Sequence, residues 1–166
     1  MRLRSLLGSA VGIVIAVALW QGLGRIIPVG VAAGMPQRLG MACAALLPTV
    51  CVLDLMIVVQ MALRVRTGAV DPLAGRDNHT LQVNQRALTN TVEQLAGFVP
   101  ALLALAAGAP PAWLPFVVAA GLAFGLARLV FWAGYLLGPL WRAPGMAASF
   151  AINVATLVAA IGVWWP

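Results

Sequence analysis

The chain has 166 residues, of which 63% are apolar and only 8% charged; its ten basic residues are all arginines, against four acids, for a net charge of +6. A soluble domain coats itself with roughly a quarter charged residues, so this composition excludes one and makes the bilayer the solvent for most of the chain. Nucleic-acid binding is excluded as well, because the arginines stand singly at the ends of apolar runs instead of gathering on one basic face.

Met1 to Arg4 followed by apolar residues 6–23 has the form of a signal-anchor, a basic start before a run long enough to cross a bilayer. A cleaved signal peptide is the alternative, but the apolar core is longer than such peptides use. The nearest small-residue site, Val31-Ala32-Ala33, also lies well past its end, so retention is expected. Pro28, Gly30, Gly34 and Pro36 predict a loop between Arg25 and Arg38. The second span, roughly 39–63, holds Pro48, expected to bend it, and Asp54, which needs a partner in mid-span. Cys43 and Cys51 lie about 12 Å apart along a helix axis, too far to bridge each other, and read as buried free thiols.

The polar segment 64–86 carries Arg64, Arg66, Arg76 and Arg86. The positive-inside rule places it in the cytoplasm, with the N-terminus, Arg2, Arg4 and Arg142 on the same side and Arg25 and Arg38 opposite. Asn78-His79-Thr80 matches a glycosylation sequon, read as chance in a cytoplasmic loop. His79, without other ligands nearby in the sequence, implies no metal.

The third span opens with the stretch that organises the rest, NQRALTNTVEQLAGF over residues 84–98. Arg86, Asn90 and Glu93 are spaced i, i+4, i+7 and share one helix face, with Leu88, Val92, Leu95 and Val99 assigned to the other. Burying such groups at a bilayer edge costs several kcal/mol unless each is partnered, so the stripe predicts a site. Interhelical glue is the competing reading. The span ends at GAPPAW. The fourth, about 113–137, has Gly121 and Gly125 four apart, a spacing that lets helices approach closely, and places Arg128 and Tyr135 on one face flanked by Phe131 and Trp132. After GPLWRAPG the last span, 146–165, carries Ser149, Asn153 and Thr156 for interhelical hydrogen bonds, and Trp164 and Trp165 at an interfacial belt.

Counting along the helices puts Asp54 and Arg128 both at a depth of about 15 Å, where an ion pair would satisfy them; Glu93 is the rival partner. Arg86, Asn90, Glu93, Tyr135 and Arg142 converge nearer the cytoplasmic end, with Arg64 and Arg66 at the rim. Cations, a carboxylate and neutral donors together suit a small zwitterion, its carboxylates on the arginines and its ammonium on the glutamate. An arginine beside a ligand thiol would favour the thiolate and make it a nucleophile near neutral pH. The bland alternative is that the arginines snorkel to headgroups.

These residues resemble a known family, the membrane-associated proteins in eicosanoid and glutathione metabolism. Arg86, Asn90 and Glu93 match its Arg-x-x-x-Asn-x-x-Glu, with Phe98 near its usual Pro-Phe. Ala127-Arg128 through Tyr135 matches its Ala-Arg and aromatic stretch, and Arg142-Ala143-Pro144 its Arg-Ala-Pro. The resemblance covers about residues 41–165. It implies an all-α, polytopic four-helix membrane bundle, here over 39–166, with residues 1–38 as an extra N-terminal transmembrane helix and loop. It also implies a homotrimer binding glutathione near the cytoplasmic side between neighbouring subunits. Carried over by position, Arg86, Asn90, Glu93, Arg128, Tyr135 and Arg64 would bind the substrate, and Arg142 would stabilise the thiolate. Two positions depart from the pattern: Gln94 and Phe131 stand where some members have tyrosines.

The expectation is therefore an integral membrane protein of a bacterial inner membrane. It would transfer glutathione or another small thiol to a lipophilic electrophile entering from the bilayer, or reduce a lipid hydroperoxide. The rival readings are a non-catalytic membrane binding or scaffold protein and a small transporter using Asp54 and Arg128.

Overall fold

The computed structural model describes residues 2–28 and 34–165. Gly30, Val31-Ala32-Ala33 and the side chain of Arg2 lie outside the described residues. Five helices follow in order: α1 Arg2–Ile26, α2 Met35–Thr67, α3 His79–Gly108, α4 Leu114–Leu137 and α5 Ala143–Trp164, with a 3-10 turn Pro111–Trp113 before α4. All five are long and apolar enough to cross a membrane, and no strand occurs among the described residues. The chain is a polytopic helical bundle embedded in the bilayer.

Local chemistry sets the helix ends. Pro36 occupies the first turn of α2, where its missing N–H costs nothing, and Gly68 ends that helix in the left-handed conformation, φ 70°. The Asn78 side chain accepts from the Leu81 N–H at 2.9 Å and caps α3, which gives this residue of the sequon match a structural role. Pro48 sits inside one continuous α2. Arg38, expected only as an orientation signal, donates to the carbonyls of Ala107 and Ala109, both at 2.6 Å, and so satisfies the end of α3.

Helix α4 is the hub, packing against each of the other four. Its small residues explain this. A side chain at Gly121 would collide with Ala45 of α2, and one at Gly125 would crowd Pro48 and Thr49, so the expected close approach is made to α2. On the side facing α3, Phe124 stacks on Phe98 with ring centroids 4.0 Å apart. Helix α1 lies against α4 and α5 and is tied at its far end by the Trp20 indole N–H donating to the Phe116 carbonyl at 2.7 Å. Asn153 donates to the Gln94 carbonyl at 3.1 Å, and Trp164 to that of Ala104 at 3.0 Å.

Two expectations for α2 are corrected. Cys43 and Cys51 are free but exposed, because both occupy the side of α2 turned away from α3 and α4. Asp54 is exposed on the chain's outer surface and does not reach Arg128. The packed side of α2 instead carries Ala42, Ala45, Thr49, Met56 and Gln60.

Candidate functional site

The polar stripe of α3 is set by what its neighbour stripe buries. Asn84, Ala87, Thr91, Gln94 and Phe98 recur every three or four residues and face the bundle. The packing face is thus rotated by one residue from the expected Leu88-Val92-Leu95 line, and Val92 is exposed. Polar residues are tolerated inside because they are satisfied there. Asn84 donates to the Met56 carbonyl at 3.0 Å and to Gln60 Oε1 at 2.8 Å, and accepts from the Trp132 indole at 2.7 Å. Arg86, Asn90 and Glu93 are left beside this face, lining one wall of a cleft of about 720 Å³.

The cleft opens where α3 begins, α4 ends and α5 begins. Phe131 and Tyr135 of α4 form its floor; Arg142 and Met146 stand across from α3. The structure therefore brings Arg86, Asn90, Glu93, Tyr135 and Arg142 together. Arg86, Glu93 and Arg142 are exposed to it. Among the described residues the one ion pair is Arg64 with Asp77, so these three charges are not paired with one another. Two cations and one carboxylate leave the cleft with a single net positive charge. Its volume lies within the range of small-molecule sites.

Arg128 does not line the cleft; it is fully buried behind it. Its guanidinium donates to Thr91 Oγ1 at 2.7 and 3.2 Å, to Ser149 Oγ at 3.2 Å and to Asn90 Oδ1 at 3.1 Å, and lies 4.0 Å over the Phe131 ring. Neither Asp54 nor Glu93 is its partner. Neutral acceptors and an aromatic face hold this cation instead, which corrects both expected ion pairs. Because arginine offers only donors, Asn90 must turn its carbonyl inward to Arg128, which leaves its NH2 for the cleft. Arg128 thus orients a cleft residue from behind.

A stack of alternating charge and ring runs forward from there. Phe131 and Tyr135 meet at 5.7 Å between ring centroids, tilted by 55°, and the Arg142 guanidinium lies 4.7 Å from the Tyr135 ring centroid. Phe131, one of the two departures, supplies the apolar face on which Arg128 rests. Gln94, the other, is buried and donates to Met146 Sδ at 3.7 Å.

Arg64 is not brought to the cleft. Asp77 holds it bidentately at 2.9 and 3.1 Å, with a further bond to the Ala69 carbonyl at 3.0 Å, so it clamps the loop between α2 and α3. Sequence reasoning missed Asp77 as its partner, and also Thr91 and Ser149 as the acceptors for Arg128. The available signal was that Asn84, Thr91 and Gln94 make a second polar stripe beside the first.

A family model described as the MAPEG family matches residues 39–162, well over half of the chain. No curated protein and no solved structure gives a significant match.

Proposed function

The chain belongs to the MAPEG family, and from that premise we propose that it uses glutathione, or another low-molecular-weight thiol, against lipophilic electrophiles or lipid hydroperoxides. The observation that carries this reading is the cleft itself, in which Arg86, Arg142 and Glu93 meet unpaired with one another. Glutathione at neutral pH carries carboxylates and an ammonium, opposite in sign to Arg86 and Glu93, and a thiol for the remaining cation, Arg142. Arg86 would hold a carboxylate, Glu93 the ammonium, and the Asn90 NH2, fixed by Arg128, a peptide carbonyl.

Arg142 is the candidate for the sulfur. Held over the Tyr135 ring, its guanidinium offers positive charge where the thiol ionises, favouring the thiolate. The thiol proton leaves to solvent, the sulfur bonds to the electrophilic carbon, and the carbon's leaving group departs with its electron pair. With a hydroperoxide, two thiols are oxidised to a disulfide as the peroxide is reduced to an alcohol and water. The lipophilic partner would reach the cleft from the bilayer past apolar Phe150 and Met146.

On this reading the cleft end of the bundle faces the cytoplasm of a bacterial inner membrane. Residues 39–166 form the catalytic domain, 1–38 an added helix and loop, and three copies assemble as a homotrimer. Turnover of glutathione with a generic aryl halide by the detergent-purified protein tests it. Arg142→Ala is expected to lower the rate at least tenfold; equal rates in the two proteins remove that assignment.

A non-catalytic binding protein is the second reading, favoured by Phe131 and by the inward-turned Gln94, neither of which brings a hydroxyl to the cleft. Glutathione would then raise thermal stability without any turnover. A transport relay of Asp54 and Arg128 has no geometric support, since the two do not meet.

A further inference from the structure

The cleft has a wall that the family match does not account for. Ser5 and Ser9, one helical turn apart on α1, line it opposite the α3 stripe, and both precede the matched residues 39–162. Their position is fixed by tight docking. A side chain at Gly12 would collide with the Pro144 backbone, and one at Gly8 would touch the Pro144 ring, so α1 is seated on the first turn of α5, beside Arg142. At its other end a side chain at Gly24 would overlap the Phe116 ring, close to the bond from Trp20 to the Phe116 carbonyl. Gly22, by contrast, faces open space. Helix α1 is therefore gripped at both ends in one rotational setting, the one that presents Ser5 and Ser9 to the cleft.

We propose that α1 is part of the binding site: Ser5 and Ser9 are specificity-determining residues that hydrogen-bond the polar portion of the bound thiol peptide. The proposal rests on the reading of the cleft as a thiol-peptide site. The physical case is that α3 and α5 supply fixed charges and an amide, which recognise carboxylate and ammonium, whereas peptide N–H groups need acceptors. Beside the Thr89 and Tyr135 hydroxyls on α3 and α4, Ser5 and Ser9 supply them on the α1 side. Hydroxyls serve as both acceptors and donors, and two of them one turn, about 6 Å, apart match the spacing of alternate residues on an extended peptide. Because the wall comes from the same chain, one side of the ligand is enclosed without a second copy.

The test is glutathione binding to the full chain in detergent, measured by titration, for the parent, Ser5→Ala/Ser9→Ala, Gly12→Leu, Gly22→Leu and Arg86→Ala. The double serine variant removes two half-buried hydroxyls and keeps the packing, and is expected to bind about tenfold more weakly. Gly12→Leu, which unseats α1, is expected to weaken binding at least as much, and Gly22→Leu to match the parent. As a readout that does not depend on folding stability, Ser9→Cys in a chain with Cys43 and Cys51 replaced by serine is expected to react with a water-soluble maleimide. S-hexylglutathione should protect it. Binding that is lost in Arg86→Ala but unchanged in the double serine variant, with the thiol introduced by Ser9→Cys left unprotected, overturns the role of α1 alone. No binding by the parent overturns the thiol-peptide reading and this proposal with it.

Discussion

At the residue scale the most consequential group is Arg128, a cation enclosed by hydroxyls, an amide and a ring. Replacing it with alanine deletes the charge but leaves a cavity and three acceptors facing it, so Arg128→Ala is expected to cost about 2–5 kcal/mol of unfolding free energy in detergent. Arg128→Lys should recover little, since an ammonium cannot reach Thr91, Ser149 and Asn90 from one planar fork. The checking measurement is denaturant or thermal unfolding of each variant, and parental stability for Arg128→Ala would refute the buried network. Asp54 makes the contrasting case. Standing on the outer surface, Asp54→Asn is expected to leave thiol turnover within about twofold of the parent, whereas a relay would lose its function. The sequence identified Arg128 as inward-facing by its position in an apolar run, but not its partners. Opposite charge was the wrong guide there, because in a close-packed interior the acceptors within reach decide the pairing.

Elements fall into those ordered by local signals and those ordered by fit. The break between α2 and α3 is local: Gly68 stops one helix and Asn78 starts the next. Asn78→Ala is expected to cost about 1 kcal/mol through the lost cap, seen as a lowered unfolding midpoint, and to leave binding unchanged. The contact of α2 with α4 depends on fit. Gly125→Leu must push Pro48 and Thr49, and with them α2, away from α4 and is expected to destabilise the bundle by several kcal/mol, while Gly162→Ala, with nothing near it, should be neutral or slightly stabilising. Similar midpoints for the two would mean that α2 and α4 do not pack through these residues. The glycine pair was readable in the sequence as a spacing. Which neighbour it admits was not, because the same spacing suits any small-residue partner.

The whole molecule is a bundle centred on α4, with one face of α2 left uncovered in the single chain. That face holds Cys43, Cys51 and mid-span Asp54 together with exposed Leu47, Val50 and Leu55. If the proposed trimer forms through it, a short bifunctional maleimide reacting at Cys51 in membranes should join two copies and give a dimer band, abolished by Cys51→Ser. Monomer alone at full labelling would place the assembly elsewhere. The amino-acid sequence by itself determined the membrane as solvent, five helices with their approximate ends, and the polar stripe at 86, 90 and 93, because hydropathy and helical period are properties of contiguous residues. Only the tertiary structure decided that Arg128 is bound by neutral groups and that Arg64 belongs to Asp77. It alone placed α1 against the cleft, for these depend on which helices meet and at what rotation, and that is fixed by packing among residues far apart in the chain.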